Sequence, residues 1–143
     1  MRPEELQMSE LAIPRDIFDQ MLKQAADETP TEACGILAGR CGRVGKLYKM
    51  KNSEQRCDHF MMEPKEQFAV AKDIRAASLE MLAVYHSHPA TAARLSAEDI
   101  RLALTPDILY VIVSLGEPDG PVVKGFALEN GGITEVPLRI LEK

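Results

Sequence analysis

Tyr85-His86-Ser87-His88-Pro89, followed by Ser96 and Asp99, is the part of this 143-residue chain best equipped for chemistry. Side chains on an extended strand alternate between its faces, so His86 and His88 project together. A carboxylate arriving from the next element then completes three ligands around one metal ion. Two neutral imidazoles and a carboxylate suit zinc, and three protein ligands leave a coordination position for water. A structural zinc is usually closed by four protein ligands, so an open position points to catalysis, and hydrolysis is the chemistry to expect.

Each of these residues also has a plainer reading. Ser96-Ala97-Glu98-Asp99 ahead of an apolar helix resembles a capping arrangement, with Ser96 at the N-cap and an acid three residues on. That role competes for the carboxylate, because an Asp99 turned onto its own backbone offers less to a metal. Glu32, just before an apolar strand, reads locally as a solvated residue. Hydrolysis, however, needs a group that takes a proton from water and passes it to the leaving amine, which ligating side chains cannot do. Cys34 shares the facing of Glu32 and is a possible sulfur ligand, but Ala33, Gly35 and Ile36 around it favour a small buried side chain. His59 is isolated, and Met61-Met62 read as core filling.

The elements that must position these groups follow from periodicity and turn residues. Leu11 to Ile13 is a short extended lead-in. Pro14 sits at the start of a helix with Ile17, Phe18, Met21, Leu22 and Ala25 at helical spacing, ending near Glu28 before Thr29-Pro30. Ala33 to Ala38 and Val44 to Met50 form a hairpin around Cys41-Gly42-Arg43. Asp58 to Met62 reads as another short strand. Pro64 opens a second helix with Phe68, Ala71, Ile74 and Leu79 on one side, and Leu82 to Ser87 is the strand delivering the histidines. A third helix is expected from Ala97 to Leu104. Ile108 to Leu115, apolar on both faces, reads as a central strand. Val122 to Leu128 and Ile133 to Val136 close the chain around Asn130-Gly131-Gly132. The fold class is α/β or α+β: a mixed, partly antiparallel sheet flanked by about three helices.

Composition narrows the function classes. Seventeen basic against 22 acidic side chains give 17 − 22 = −5, which argues against a nucleic-acid partner with its need for a basic face. Nowhere do 18 apolar residues run together, so no membrane span is expected. The polar opening Met1-Arg2-Pro3-Glu4-Glu5 lacks the apolar run of a signal peptide. Three cysteines, Cys34, Cys41 and Cys57, are too few for a disulfide framework, and a reduced, cytoplasmic setting is expected. Residues 1–10 read as a flexible N-terminal segment and residues 11–143 as a single domain.

Together these residues resemble the JAMM, or MPN+, metalloprotease family in a compact prokaryotic form. The family pattern is a distant Glu, then His-x-His-Pro, a spacer of about seven residues, Ser, two residues and Asp. Here it reads Glu32, His86-Ser87-His88-Pro89, Ala90 to Leu95, Ser96, Ala97-Glu98 and Asp99. Glu32 to Gly39 is similar to the family's first strand. One departure is Leu95, where members often carry Pro; the change could loosen the loop beside Ser96 but leaves every polar group in place. Neither a His-Glu-x-x-His helix nor a Pro-Cys-x-x-Cys partner is present.

The resemblance implies a cytidine-deaminase-like MPN fold, Zn²⁺ held by His86, His88 and Asp99, Glu32 as general acid/base, and Ser96 as donor to the developing oxyanion. It implies a zinc-dependent hydrolase that cleaves an amide or isopeptide bond after the C-terminal glycine of a ubiquitin-like or sulfur-carrier protein. An edge strand near the metal would hold the carrier tail by β-augmentation. Two alternatives stand beside this reading: a catalytically inactive MPN scaffold, against which the intact five residues argue, and a zinc amidohydrolase of small molecules. The protein is expected as a monomer or homodimer.

Overall fold

A computed structural model describes residues 9–55, 60–97, 99, 107–129 and 132–142. In chain order its elements are β1 (Leu11–Pro14), α1 (Arg15–Glu28), β2 (Cys34–Arg40), β3 (Arg43–Met50), α2 (Pro64–Ala76), β4 (Glu80–His88), β5 (Leu109–Ser114), β6 (Val122–Glu129), β7 (Gly132–Val136) and β8 (Leu138–Leu141). Pro14, with φ −57°, is the N-cap of α1. Cys41 and Gly42 both have positive φ, the condition for a two-residue turn that matches the twist of the β2–β3 hairpin.

All eight strands join one mixed sheet in the order β7-β6-β5-β4-β2-β3-β1-β8. β4 lies inside it, antiparallel to β2 and parallel to β5. Every residue of β5 is buried, as expected of a strand covered on both faces. The margins, β7 and β8, are separated along the chain by Pro137 alone. Consecutive Cα atoms are about 3.8 Å apart, so the sheet must curl until its margins meet there. The Leu11 N–H donates to the Pro137 carbonyl at 3.0 Å, fastening that corner.

Helix α1 packs on the inner face of the curl. Its buried Ile17, Met21 and Ala25 join Leu11, Ile13, Leu37, Val44, Tyr85, Val111, Val113 and Val136 in the largest core cluster. The opposite face carries Cys34, Ile36, Ala38, Met50, Met62 and Ile74 under α2. On that same face a third cluster, Ala93, Ile112 and Phe126 with Leu95 and Val122 against it, seats the segment leading to Ser96.

Several expectations need correction. β8 was not anticipated, because Leu-Arg-Ile-Leu is too short to show a period and acquires strand geometry only by pairing with β1. Phe60 to Met62 form no strand; Asp58 and His59, with Cys57, lie outside the described residues. Phe68 is 73% exposed rather than on a buried side of α2, since α2 meets the sheet through Ile74 with Val70 and Leu79 beside it. Of the expected helix from Ala97 to Leu104, Ala97 and Asp99 are helical and the rest lies outside the described residues, as do residues 1–8 of the N-terminal segment. No helix among the described residues is long and apolar enough to cross a membrane.

Gly35 shows how closely the inner face is fitted. A Cβ there would lie 2.2 Å from the Tyr85 ring carbon Cζ, and the ring cannot swing aside because its hydroxyl donates to Gln24 Oε1 at 2.5 Å. Gly35→Ala is therefore expected to lower stability by about 1–3 kcal/mol through overpacking. At Gly45, by contrast, an added Cβ would meet nothing within 4 Å, so Gly45→Ala is the control. Urea denaturation checks both, and equal midpoints for the two variants would contradict the packing argument.

Candidate active site

The C-terminal end of β4 is where the sheet's inner strands deliver polar side chains into an enclosed space. His86, Ser87 and His88 are all buried. The alternation of the strand puts the two imidazoles on the α2 face, the face that Cys34 shares because it stands opposite His86 in the β2–β4 register. Phe60 stacks on the His86 ring with centroids 4.7 Å apart and planes 28° from parallel, which fixes the ring's orientation.

The next residues are held as firmly. The His88 carbonyl accepts from Leu115 N–H at 3.0 Å, Ser114 Oγ donates to the Thr91 carbonyl at 2.5 Å, and Ala93 N–H donates to Glu117 Oε2 at 3.1 Å. Ala93 and Leu95 then pack on Ile112 and Phe126. Leu95 thus anchors its loop by apolar contact.

That loop delivers Ser96 and Asp99. The Asp99 N–H donates to Ser96 Oγ, and the Ser96 N–H donates to Asp99 Oδ2, both at 2.9 Å. This is the reciprocal capping arrangement at a helix start. The capping carboxylate nevertheless faces both histidines: Oδ1 is 3.0 Å from His86 Nε2 and Oδ2 is 2.9 Å from His88 Nε2. Capping and convergence on the imidazoles, alternatives in the sequence, coexist. The ligand atoms of His86, His88 and Asp99 lie within 4.8 Å of one another, so the three could hold one metal ion.

The surroundings of these groups push their protonation in different directions. His88 Nδ1 lies 2.9 Å from the Ala92 carbonyl; a proton donated there leaves the Nε2 lone pair directed at Asp99, the outer-shell device that orients a metal-binding histidine. His86 is completely enclosed, and neither ring nitrogen has a hydrogen-bond partner among the described residues despite the short distance to Asp99. A buried nitrogen so placed fits a lone pair aimed at a cation. Burial pushes the His86 pKa down, against the pull of Asp99, and so favours the neutral, ligating form. For His88 burial also lowers the pKa, but the Asp99 and Ala92 bonds and the charges of Asp99 and Glu32 together outweigh it and raise it. Burial disfavours the Asp99 carboxylate too, yet both imidazoles and the Ser96 N–H hold its pKa well below the usual carboxylate range.

Glu32 is 2% exposed, which corrects its reading as a solvated residue ahead of a strand. Its place follows from pairing. Cys34 faces His86, Ala33 N–H donates to Ser87 Oγ at 2.8 Å, and Ser87 N–H donates to the Ala33 carbonyl at 2.9 Å. Continuing that register sets Glu32 opposite His88. Cys34 is wholly buried and its thiol donates to the Met50 carbonyl, with sulfur and oxygen 3.7 Å apart. β4 is flanked by β2 and β5, and among the described strands the sheet margins are β7 and β8, so the expected strand edge beside the histidines is not there. Sequence reasoning missed Asn52, Phe60 and Gln24, each tied to the site only by contacts distant along the chain. It also passed over Ser87, although the motif contains it.

Fold and site together define an α+β protein whose central strand and a capped helix start bring together two imidazoles and a carboxylate able to hold a divalent cation. Residues 14–126 match the prokaryotic homologs of the JAB domain, and the chain belongs to that family. It is similar to the CysO-cysteine peptidase of Mycobacterium tuberculosis, 33% identical over 93% of this chain and 92% of the relative. It is also similar to the desampylase of Haloferax volcanii, 32% identical over 78% of this chain and 84% of that one. Its fold is that of a JAB1/MPN domain protein from Archaeoglobus fulgidus, with a TM-score of 0.60 at 20% identity over 94% of this chain and all of the other.

Burial by apolar neighbours, with the charges of Glu28, Glu66 and Glu32, pushes the Cys34 thiol up to about 12. The thiol of an unfolded chain ionises near 9.0, so stability from keeping Cys34 neutral is complete below that pH and is lost as the pH rises toward 12. Iodoacetamide at moderately alkaline pH is expected to spare Cys34 in the folded protein while modifying exposed Cys41. Peptide mass spectrometry checks this, and Cys34 labelled as fast as a free thiol would refute its enclosure.

Proposed function

We propose that this chain is a zinc-dependent hydrolase that cleaves the amide or isopeptide bond after the C-terminal glycine of a ubiquitin-like or sulfur-carrier protein. One observation carries the reading: the ligand atoms of His86, His88 and Asp99 within 4.8 Å of one another, with buried Glu32 next in register to His88. The names of the relatives, a CysO-cysteine peptidase and a desampylase, support conjugates of small carrier proteins as the substrate class.

His86, His88 and Asp99 would hold the metal. Zinc bound there would supply acidification of water and polarisation of the scissile carbonyl. Glu32 accepts the proton that water gives up and hands it to the leaving amine, a transfer that requires its carboxylate within hydrogen-bond reach of both. Ser96 Oγ accepts from the Asp99 N–H, so its own hydroxyl proton is available for donation to the carbonyl oxygen as negative charge develops there. The near-complete burial of the trio lowers the local dielectric, which strengthens each of these electrostatic contacts. The enzyme works in the reducing cytoplasm, as a monomer or homodimer.

Two variants separate the roles. Glu32→Ala is expected to keep zinc and lose roughly 100- to 10,000-fold in kcat. His88→Ala should lose the metal itself, along with the stability that metal binding to the folded state provides. Release of cysteine from a carrier ending in Gly-Gly-cysteine, followed by mass spectrometry, and zinc content by elemental analysis read the two out. Full turnover by Glu32→Ala would remove the proton carrier from the reading, and wild-type protein that hydrolyses free small amides but no carrier conjugate would replace the substrate class.

A further inference from the structure

Glu32 lies in the irregular stretch ahead of β2, where no strand ladder fixes the backbone. A general acid/base misplaced by about 1 Å loses on the order of 100-fold in rate, so something else must hold it. Two buried side chains grip the single peptide group that joins Glu32 to Ala33. Asn52 Nδ2 donates to the Glu32 carbonyl at 3.0 Å, and Ser87 Oγ accepts from the Ala33 N–H at 2.8 Å. The Ser87 N–H adds a bond to the Ala33 carbonyl at 2.9 Å.

Both grips are themselves rigid. Asn52 is 3% exposed, and its Oδ1 accepts from the backbone N–H groups of Glu54 and Met61 at 3.1 and 3.2 Å. Ser87 is 1% exposed and sits between the two histidines on β4, with strand alternation turning its side chain away from the face they occupy. In a β-ladder the Ala33 N–H would go to a backbone carbonyl; here a hydroxyl takes it. The strand that carries the imidazoles therefore also sets the height of the carboxylate.

We propose that Ser87 is a positioning residue which, together with Asn52, fixes the Glu32 carboxylate beside His88. The inference rests on the functional reading above. It makes the His-Ser-His segment a single ruler: its outer residues place the metal ligands and its middle residue places the proton carrier.

The test compares Ser87→Ala, Ser87→Thr and Asn52→Ala with wild type on a carrier ending in Gly-Gly-cysteine, and follows backbone amide hydrogen exchange by NMR. Ser87→Ala is expected to lower kcat by about 10- to 100-fold with KM and zinc content unchanged, and to speed exchange at the Ala33 amide. Ser87→Thr, which keeps the hydroxyl, restores most of the rate. In a Glu32→Gln background Ser87→Ala produces no further loss, whereas a general structural lesion would add to it. Should Ser87→Ala fail to fold, Asn52→Ala must show the same kcat loss with zinc retained.

Wild-type kcat in both alanine variants, a loss that persists undiminished beside Glu32→Gln, or unchanged Ala33 exchange in Ser87→Ala would each overturn the inference. A wild-type enzyme that leaves the conjugate intact would instead sink the functional reading. The Ala33 measurement needs no turnover, so the two failures are distinguishable.

Discussion

The carboxylate of Asp99 is the contact on which the site depends. One oxygen accepts the Ser96 N–H and faces His88, and the other faces His86. An ionised carboxylate buried this deeply is tolerated only with compensating partners; the helix start supplies one donor, and a cation shared with the two imidazoles would supply the rest. The capping bond thus joins the helix start to β4 through one side chain. Because Ser96 caps the same turn, its hydroxyl is placed by the contact that places the ligand.

The curled sheet explains why such a cluster can be buried. β4 is an interior strand with β2 and β5 hydrogen-bonded on either side, α1 under its inner face and α2 with the Ala93–Leu95 segment over the other. Its C-terminal end is therefore walled by packed elements whose positions are fixed independently of the polar groups. The residues proposed to act occupy the point where backbone order changes to loops: Pro89 after the histidines, Ser96 at a helix start, Glu32 before a strand. Loops mounted on a rigid sheet are where binding and catalysis concentrate, and here three loops meet.

Membership of the JAB family and the match to a CysO-cysteine peptidase and a desampylase give the geometry a chemical context. What this chain adds is particular to its own residues. Leu95 substitutes apolar packing for the conformational restriction of a proline, and the loop beside Ser96 is held by contact with Ile112 and Phe126 rather than by a fixed φ. Tyr85 lies over Gly35 on the inner face with its hydroxyl on Gln24, whose amide donates to the Cys34 carbonyl at 3.0 Å. The segment that bears Glu32 is thereby tied to α1 as well as to β4.

Most of the chemistry was legible in the sequence because it is carried by short spacings. A period of two places His86 and His88 on one face, and three residues separate a capping serine from its acid, whatever the rest of the chain does. The runs that became α1, β2, β3 and β5 declared themselves in the same local way. Burial of Glu32, the strand status of Leu138–Leu141 and the exposure of Phe68 were not legible. Each depends on a partner far along the chain: β4 for Glu32, β1 for the last strand, and the sheet residues that α2 meets through Ile74 for Phe68. The sequence by itself determined which groups could ligate and which faces they share, because backbone periodicity is a local property. Only the tertiary structure decided that the segment bearing Glu32 lies beside the end of β4, because strand pairing is chosen by the packing of the whole sheet.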